Sequence, residues 1–194
     1  MTLTVTSVNL NGIRAAHKRG FLPWLHASDT DVLLVQEVRA PEEISREIMG
    51  EEWDSVWVPC RIKGRAGVGV AVRRGRARID GEPRLVLDGA ESDVDSGRWL
   101  EATVSREGGD TPVRVVSAYF HSGEKDTPKQ DAKMAHLPRI GNRMAELIAE
   151  EANGGVSSLV CGDFNVVRSR CDIKNWTPNH NKRAGVLDEE IAFL

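Results

Sequence analysis

Leu159-Val160-Cys161-Gly162-Asp163-Phe164-Asn165 is the stretch from which this chain is best read. Ser157 to Cys161 is an apolar run that predicts a buried strand. Gly162 then allows a sharp turn, so that Asp163 and Asn165 emerge together at the strand's end. A carboxylate two residues from a carboxamide suits phosphate chemistry: the first can hold a metal or take a proton from water, the second can donate to a phosphoryl oxygen. Gly, Asp and Asn are also ordinary turn formers, so the tetrapeptide gains weight only from partners elsewhere.

Three further strands are expected to end in polar groups. Leu3 to Leu10 alternates apolar and polar residues and ends at Asn9 and Asn11 before Gly12. Asp31 to Gln36 is an apolar strand of the kind buried on both faces, and Glu37 follows it directly. A carboxylate there is costly to desolvate unless paired or metal-bound, with a salt bridge to Arg39 as the plain alternative. Val113 to Tyr119 carries the chain's single tyrosine to its end. Its hydroxyl needs a partner, and a phosphate oxygen is one.

Between these strands, helices are predicted over Arg14–His26 (weakened at Gly20 and Pro23), Pro41–Met49 and Pro128–Ala152. The last repeats Met134, Leu137, Ile140, Met144, Leu147 and Ile148 at helical spacing. Further strands are predicted over Trp53–Pro59, Gly67–Arg73, Pro83–Leu87 and Trp99–Ser105. Short strands at hairpin-like intervals imply mostly antiparallel pairing in mixed sheets.

The 194 residues suggest one domain with a substantial core. No basic and apolar leader and no membrane-length apolar run is present, which suggests a cytoplasmic protein. Cys60, Cys161 and Cys171 lack metal-ligand spacing and read as reduced thiols, Cys161 being buried in its strand. The net charge of −3 argues against indiscriminate nucleic-acid binding. Two basic stretches stand against it: Arg61 to Arg78, without Asp or Glu, and Arg168 to Arg183, opposed only by Asp172. Either is ordinarily a solvated loop, but two beside a phosphate-type site favour a polyanion.

The order Asn9, Glu37, Tyr119, Asp163-x-Asn165 is far more specific than any member. With Asn-Leu-Asn-Gly-Ile-Arg, Leu-Val-Gln-Glu, Ser-Gly-Arg-Trp, Ala-Tyr-Phe and Asp-Ile-Lys-Asn, it resembles the exodeoxyribonuclease III family of AP endonucleases, within the endonuclease/exonuclease/phosphatase superfamily. The resemblance runs from Thr4 to the C-terminus. It implies a DNase I-like four-layer α/β sandwich, two mixed sheets face to face with helices outside, the first sheet complete and the second only begun. It also implies Mg²⁺, or Mn²⁺, held by Glu37 with Asn9, Asp163 and Asn165 around it. Asp163 would orient or deprotonate water, while Asn165 and Tyr119 would stabilise the transition state. Arg14, Lys18, Asn175 and Asn181, with Lys174 beside Asn175, match DNA-contacting positions, and Arg65 of the first basic stretch is expected to contact DNA with them.

The implied partner is double-stranded DNA with abasic sites or 3′ ends, and the complete protein is expected to be monomeric. Two departures stand out. His121 and Ser122 replace the usual Pro and amide after the Tyr-aromatic pair, and no Ser-Asp-His motif occurs before Leu194. None of His17, His26, His121, His136 and His180 supplies its histidine, so the chain is expected to be an incomplete member, poorly active by itself. The alternatives are a phosphatase or phosphodiesterase of the superfamily acting on another phosphate ester, and an inactive DNA-binding fragment.

Overall fold

A computed structural model describes residues 2–109 and 111–194. The chain through Tyr119, together with Leu147–Asp163, forms one compact unit; Phe120–Glu146 with Phe164–Leu194 forms another. The first unit holds two mixed four-stranded sheets. One has the order β1 (Val5–Asn9), β2 (Val32–Gln36), β4 (Val68–Arg73), β3 (Trp53–Val58). The other has the order β5 (Ala77–Arg84), β6 (Trp99–Arg106), β7 (Val113–Tyr119), β8 (Ser158–Asp163). β1 runs parallel to β2 and β7 to β8, and the remaining neighbours are antiparallel.

Strand periodicity explains the layers. In β2 every residue is buried, because Val32 and Leu34 face one core and Leu33 and Val35 the other. The first core lies between the sheets, where Val32, Leu34, Val68, Val70 and Val72 meet Leu100, Ala102, Val104 and Val115. In the second, Leu33, Val35 and Trp57 meet Ile13, Phe21, Leu25 and Met49 of the helices α1 (Ile13–Lys18), α2 (Phe21–Ala27) and α3 (Glu42–Met49). Beneath the strand ends a buried polar joint links the sheets: Gln36 Nε2 donates to Ser117 Oγ at 3.1 Å, which donates to the Val35 carbonyl at 2.9 Å. Because both groups are satisfied, the joint adds register without a desolvation penalty.

Several expectations change. The helix over Arg14–His26 is two helices, broken where Gly20 takes φ 91°. The strand expected at Pro83–Leu87 is instead Ala77–Arg84: Ala77 and Ile79 reach the inter-sheet core, while Leu85 and Val86 are exposed. β8 is not the buried strand its composition suggests. Among the described residues it pairs only with β7, so Leu159 is 40% exposed and Cys161 only partly buried. All three cysteines are free thiols, as expected.

The second unit carries most of α4 (Pro128–Ala152), a 3₁₀ turn at Arg170–Asp172, α5 (Trp176–Asn179) and α6 (Asp188–Ile191). Phe120 lies against Phe164 and Phe193, with ring centroids 4.8 and 6.4 Å away. Among the described residues no helix is long and apolar enough to cross a membrane.

Candidate active site

The C-terminal ends of β1, β2, β7 and β8 bring four side chains together. Asn9 Nδ2 donates to Glu37 Oε1 at 2.9 Å and to Asp163 Oδ2 at 2.7 Å. The Asn9 carbonyl oxygen is fixed by the Asn11 amide at 2.9 Å, which orients the side chain so that one NH₂ group serves two carboxylates. Tyr119, at the end of β7, donates its hydroxyl to Glu37.

Local geometry aims these groups. Glu37 takes φ 51° and Arg39 φ 50°, a region costing about 1–2 kcal/mol per non-glycine residue. Surrounding bonds hold the turn in place: Gly12 N to Glu37 O at 2.7 Å, Ile13 N to Val38 O at 2.9 Å and Arg39 N to Ala66 O at 2.9 Å. Such over-determined backbone gathers at functional sites. On β8, Gly162 is required because Ala118 lies opposite it, and a Cβ there would sit 1.8 Å from the Ala118 carbonyl oxygen. Asp163 therefore leaves the sheet where no side chain could precede it.

Electrostatics sort the groups. Burial pushes the Glu37 carboxyl up, but hydrogen bonds from Asn9 and Tyr119, with the Arg39 guanidinium, outweigh it and hold the group below the ordinary carboxylate range. Glu37 is thus an anion at neutral pH. Tyr119 moves the other way: burial first, then the Glu37 charge, pushes its phenol to about 12. The phenol stays protonated and can only donate its proton into a hydrogen bond at working pH. The Arg98 guanidinium lies 4.9 Å from the centre of the Tyr119 ring and tethers it by a cation–π contact.

The donor set fits a hard divalent cation. Two carboxylates lie against one amide, and Glu37 is also paired with Arg39, the salt bridge expected as the alternative to a metal, so a cation would share Glu37 with that guanidinium. Oxygen donors of this kind suit Mg²⁺ or Mn²⁺ with several waters retained.

The other expected residues are placed less uniformly. Asn165 belongs to the second unit, where its amide donates to the Phe120 carbonyl at 2.9 Å and its φ is 50°. Arg14 and Arg65 line one cleft of about 610 Å³, with Lys63 and Arg39 beside them. Lys18 is exposed in the last turn of α1. Lys174 and Asn175 are exposed just before α5. Asn181 is committed locally, since its amide nitrogen donates to Asp188 at 2.6 Å and its oxygen accepts from the Asp188 amide at 2.9 Å.

The basic stretch Arg61–Arg78 is divided. Arg74 pairs with Asp54, Arg76 with Asp31 and Arg78 with Asp80, at 2.6, 2.5 and 2.9 Å. Arg73 donates to the Leu25 carbonyl at 3.0 Å and lies over Trp53. Arg61 pairs with Glu91 and Asp93, at 3.4 and 3.3 Å. These five are structural charges, leaving Lys63 and Arg65 in the cleft. Asn11 and Arg98 were missed as site residues: only the Asn-x-Asn-Gly spacing and the Ser-Gly-Arg-Trp motif mark them in the sequence.

The endonuclease/exonuclease/phosphatase family model matches residues 6–187, nearly the whole chain. The chain belongs to the endonuclease/exonuclease/phosphatase family. It is 26% identical over 191 residues to an exodeoxyribonuclease of Bacillus subtilis (strain 168), covering 97% of this chain and 68% of that protein. It is 27% identical over 194 residues to DNA repair nuclease APEX1 of Danio rerio, covering 97% and 56%. A DNA-(apurinic or apyrimidinic site) endonuclease of Dictyostelium discoideum is 22% identical, with 98% and 49% covered. The chain thus spans about half to two thirds of these relatives.

In fold it resembles an AP endonuclease from Archaeoglobus fulgidus, with TM-score 0.76, 22% identity, and 99% of this chain and 68% of that one covered. The 3′ phosphatase NExo from Neisseria, bound to a product DNA hairpin, gives 0.71, 20%, 99% and 68%. Two mixed sheets flanked by helices are therefore the DNase I-like arrangement of this family member.

Proposed function

We propose that this chain carries the phosphodiester-hydrolysing centre of a DNA-repair nuclease acting at abasic sites and at 3′ ends. One observation supports the reading above the rest. The Asn9 amide holds Glu37 and Asp163 together, from strands of different sheets, with the Tyr119 phenol on Glu37. A carboxylate held ionised, a second carboxylate and a phenol held protonated make a set suited to charge build-up on a phosphate. The relatives named for exonuclease and abasic-site endonuclease activity point the same way.

Glu37, with Asn9 and Asp163 beside it, would hold Mg²⁺, or Mn²⁺ in its place, and by the family likeness Asn165 would contribute to the same ion. When bound, the cation neutralises charge on the phosphate and the departing 3′-oxygen. Asp163 takes a proton from water as that water attacks in line with the leaving oxygen. The Tyr119 hydroxyl and the Asn165 amide donate to phosphate oxygens that gain charge in the transition state. Arg14, Lys18 and Arg65 in the first unit, and Lys174, Asn175 and Asn181 in the second, would contact the DNA backbone. An abasic nucleotide is turned out of the helix at low cost, having no base to unpair.

The experiment is cleavage of an end-labelled duplex with a stable abasic analogue by the full-length protein. Mg²⁺, Mn²⁺ and excess chelator are run beside a soluble inositol phosphate as competing substrate. The proposal expects incision at the abasic position and 3′ trimming, both abolished by chelator. Phosphate release from the inositol ester with intact DNA would overturn it.

A further inference from the structure

Lys133 lies in α4 with a side chain at 0% exposure, and its partner Glu190 in α6 is also at 0%. A fully buried ammonium persists only if every proton it presents is met. Lys133 Nζ lies 2.6 Å from Glu190 Oε1 and donates to the backbone carbonyl of Asn165 at 2.8 Å. Both oxygens of Glu190 have further partners. Its Oε1 accepts from Gln130 Nε2 at 2.8 Å, and its Oε2 accepts from the amides of Gly185 at 2.5 Å and Leu187 at 3.2 Å.

The recipient of this network is an unusual backbone position. Asn165 takes φ 50°. Its carbonyl is crowded on the other side by Gly185, where a Cβ would come within 2.8 Å of it. Val167 N bonds the Gly185 carbonyl at 2.9 Å, and the Asn165 amide reaches the Phe120 carbonyl at 2.9 Å. The segment is therefore fixed at its backbone and at its side chain. A buried ion pair contributes little net stability compared with an apolar pair of the same volume, because desolvation offsets the attraction. A buried pair whose ammonium donates to the Asn165 carbonyl is therefore better explained by what it holds.

We infer that Lys133, braced by Glu190, is a positioning residue that fixes Asn165 in its left-handed conformation for catalysis. The inference deepens the proposed function and rests on Asn165 acting in that reaction. Lys133 itself stays sealed from solvent and so acts only through Asn165.

The test uses full-length protein with Lys133→Met/Glu190→Met, which removes both charges together, and Lys133→Arg, Asn165→Ala and the triple variant beside it. Lys133→Met alone strands a buried carboxylate and is expected to unfold readily. The double variant is expected to fold with a melting temperature near the parent's. Its kcat on abasic duplex should fall about tenfold to a hundredfold, the size expected when a catalytic group is displaced by about 1 Å. KM should change less than about twofold, the Asn165 side-chain amide resonance should move, and Lys133→Arg should recover part of the rate.

In the triple variant the losses should not add, since both act through Asn165. A folded double variant with parental kcat and an unmoved Asn165 resonance overturns the inference. So does additivity with Asn165→Ala, or a double variant that cannot fold, which would make the pair structural. If Asn165→Ala alone keeps parental kcat, the catalytic reading of Asn165 fails, and the inference with it. A resonance that still moves in the double variant then shows that only the clamp remains.

Discussion

The side-chain amide of Asn9 lies 2.7 Å from a carboxylate oxygen of Asp163, across 154 residues of chain, so that a strand of one sheet is bonded to a strand of the other at the site itself. The same nitrogen serves Glu37. Replacing it leaves two carboxylates facing each other with no shared donor. Asn9→Ala in the full-length protein is predicted to lower kcat on abasic duplex by about 10²-fold, in the range for loss of one preorganised donor. Unchanged kcat at saturating Mg²⁺ would show that this bridge does not serve catalysis.

Tyr119 is the chain's only tyrosine, so its ionisation can be read directly at 295 nm. Its folded pKa is raised, to about 12. A raised pKa means that the proton stabilises the fold below the unfolded value of about 10, a contribution lost as pH rises through the folded one. The titration, over the pH range where far-UV circular dichroism stays native, should show a midpoint well above 10. Glu37→Gln should bring it down, because part of the shift comes from the Glu37 charge. A parental midpoint near the ordinary value contradicts the Tyr119–Glu37 bond.

Glu37 has the opposite sign. Its lowered pKa makes its ionised form stabilising above the unfolded value, and this is lost as pH falls through the folded one. Denaturant unfolding of the parent and Glu37→Gln, without metal, should show a difference constant from neutral pH to about 5, shrinking below the usual carboxylate range. The same variant should weaken Mn²⁺ binding, read by calorimetry, by about tenfold or more, since a hard cation loses an anionic oxygen. Equal Mn²⁺ affinity in both proteins would remove Glu37 from the metal site.

Much of this arrangement was legible in the sequence. Strands ending in Asn9, Glu37, Tyr119 and Asp163 were visible because a strand's polar terminus interrupts an apolar run, and the mixed pairing followed from strand spacing. Pairing distant in the chain was not visible. Arg74, Arg76 and Arg78 look like one basic run with Lys63 and Arg65 until Asp54, Asp31 and Asp80 are seen to neutralise them. β8 reads as buried from its composition, yet burial depends on how many neighbours a strand has. The Lys133–Glu190 pair was equally hidden, since its two members lie on different helices and look like surface charges.

That division of the basic stretch is itself testable. The logarithm of DNA affinity should fall linearly with the logarithm of salt, by about 0.9 per neutralised phosphate. Arg65→Ala or Lys174→Ala should reduce the slope by about one such contact. Arg74→Ala, whose charge is spent on Asp54, should leave it unchanged. Equal slopes for all three would return Arg65 and Lys174 to solvated loops.

Gly162→Ala tests the approach to the site. Its Cβ would collide with the Ala118 carbonyl, a backbone atom that cannot turn away. The strand pair must separate, and a loss of about 3 kcal/mol or more is expected, at the upper end for overpacking. Thermal unfolding measures it, and a variant as stable as the parent would mean that β7 and β8 are not in this register.

The central claim is that Asp163 acts on the attacking water. The most direct measurement compares Asp163→Asn with the parent in single-turnover cleavage of abasic duplex, alongside DNA affinity in chelator. General-base loss alone contributes about 10² to 10⁴. The account predicts a rate lower by at least about 10², with affinity for DNA within a few-fold of the parent's. Rate and affinity falling together, or a rate left intact, would contradict it.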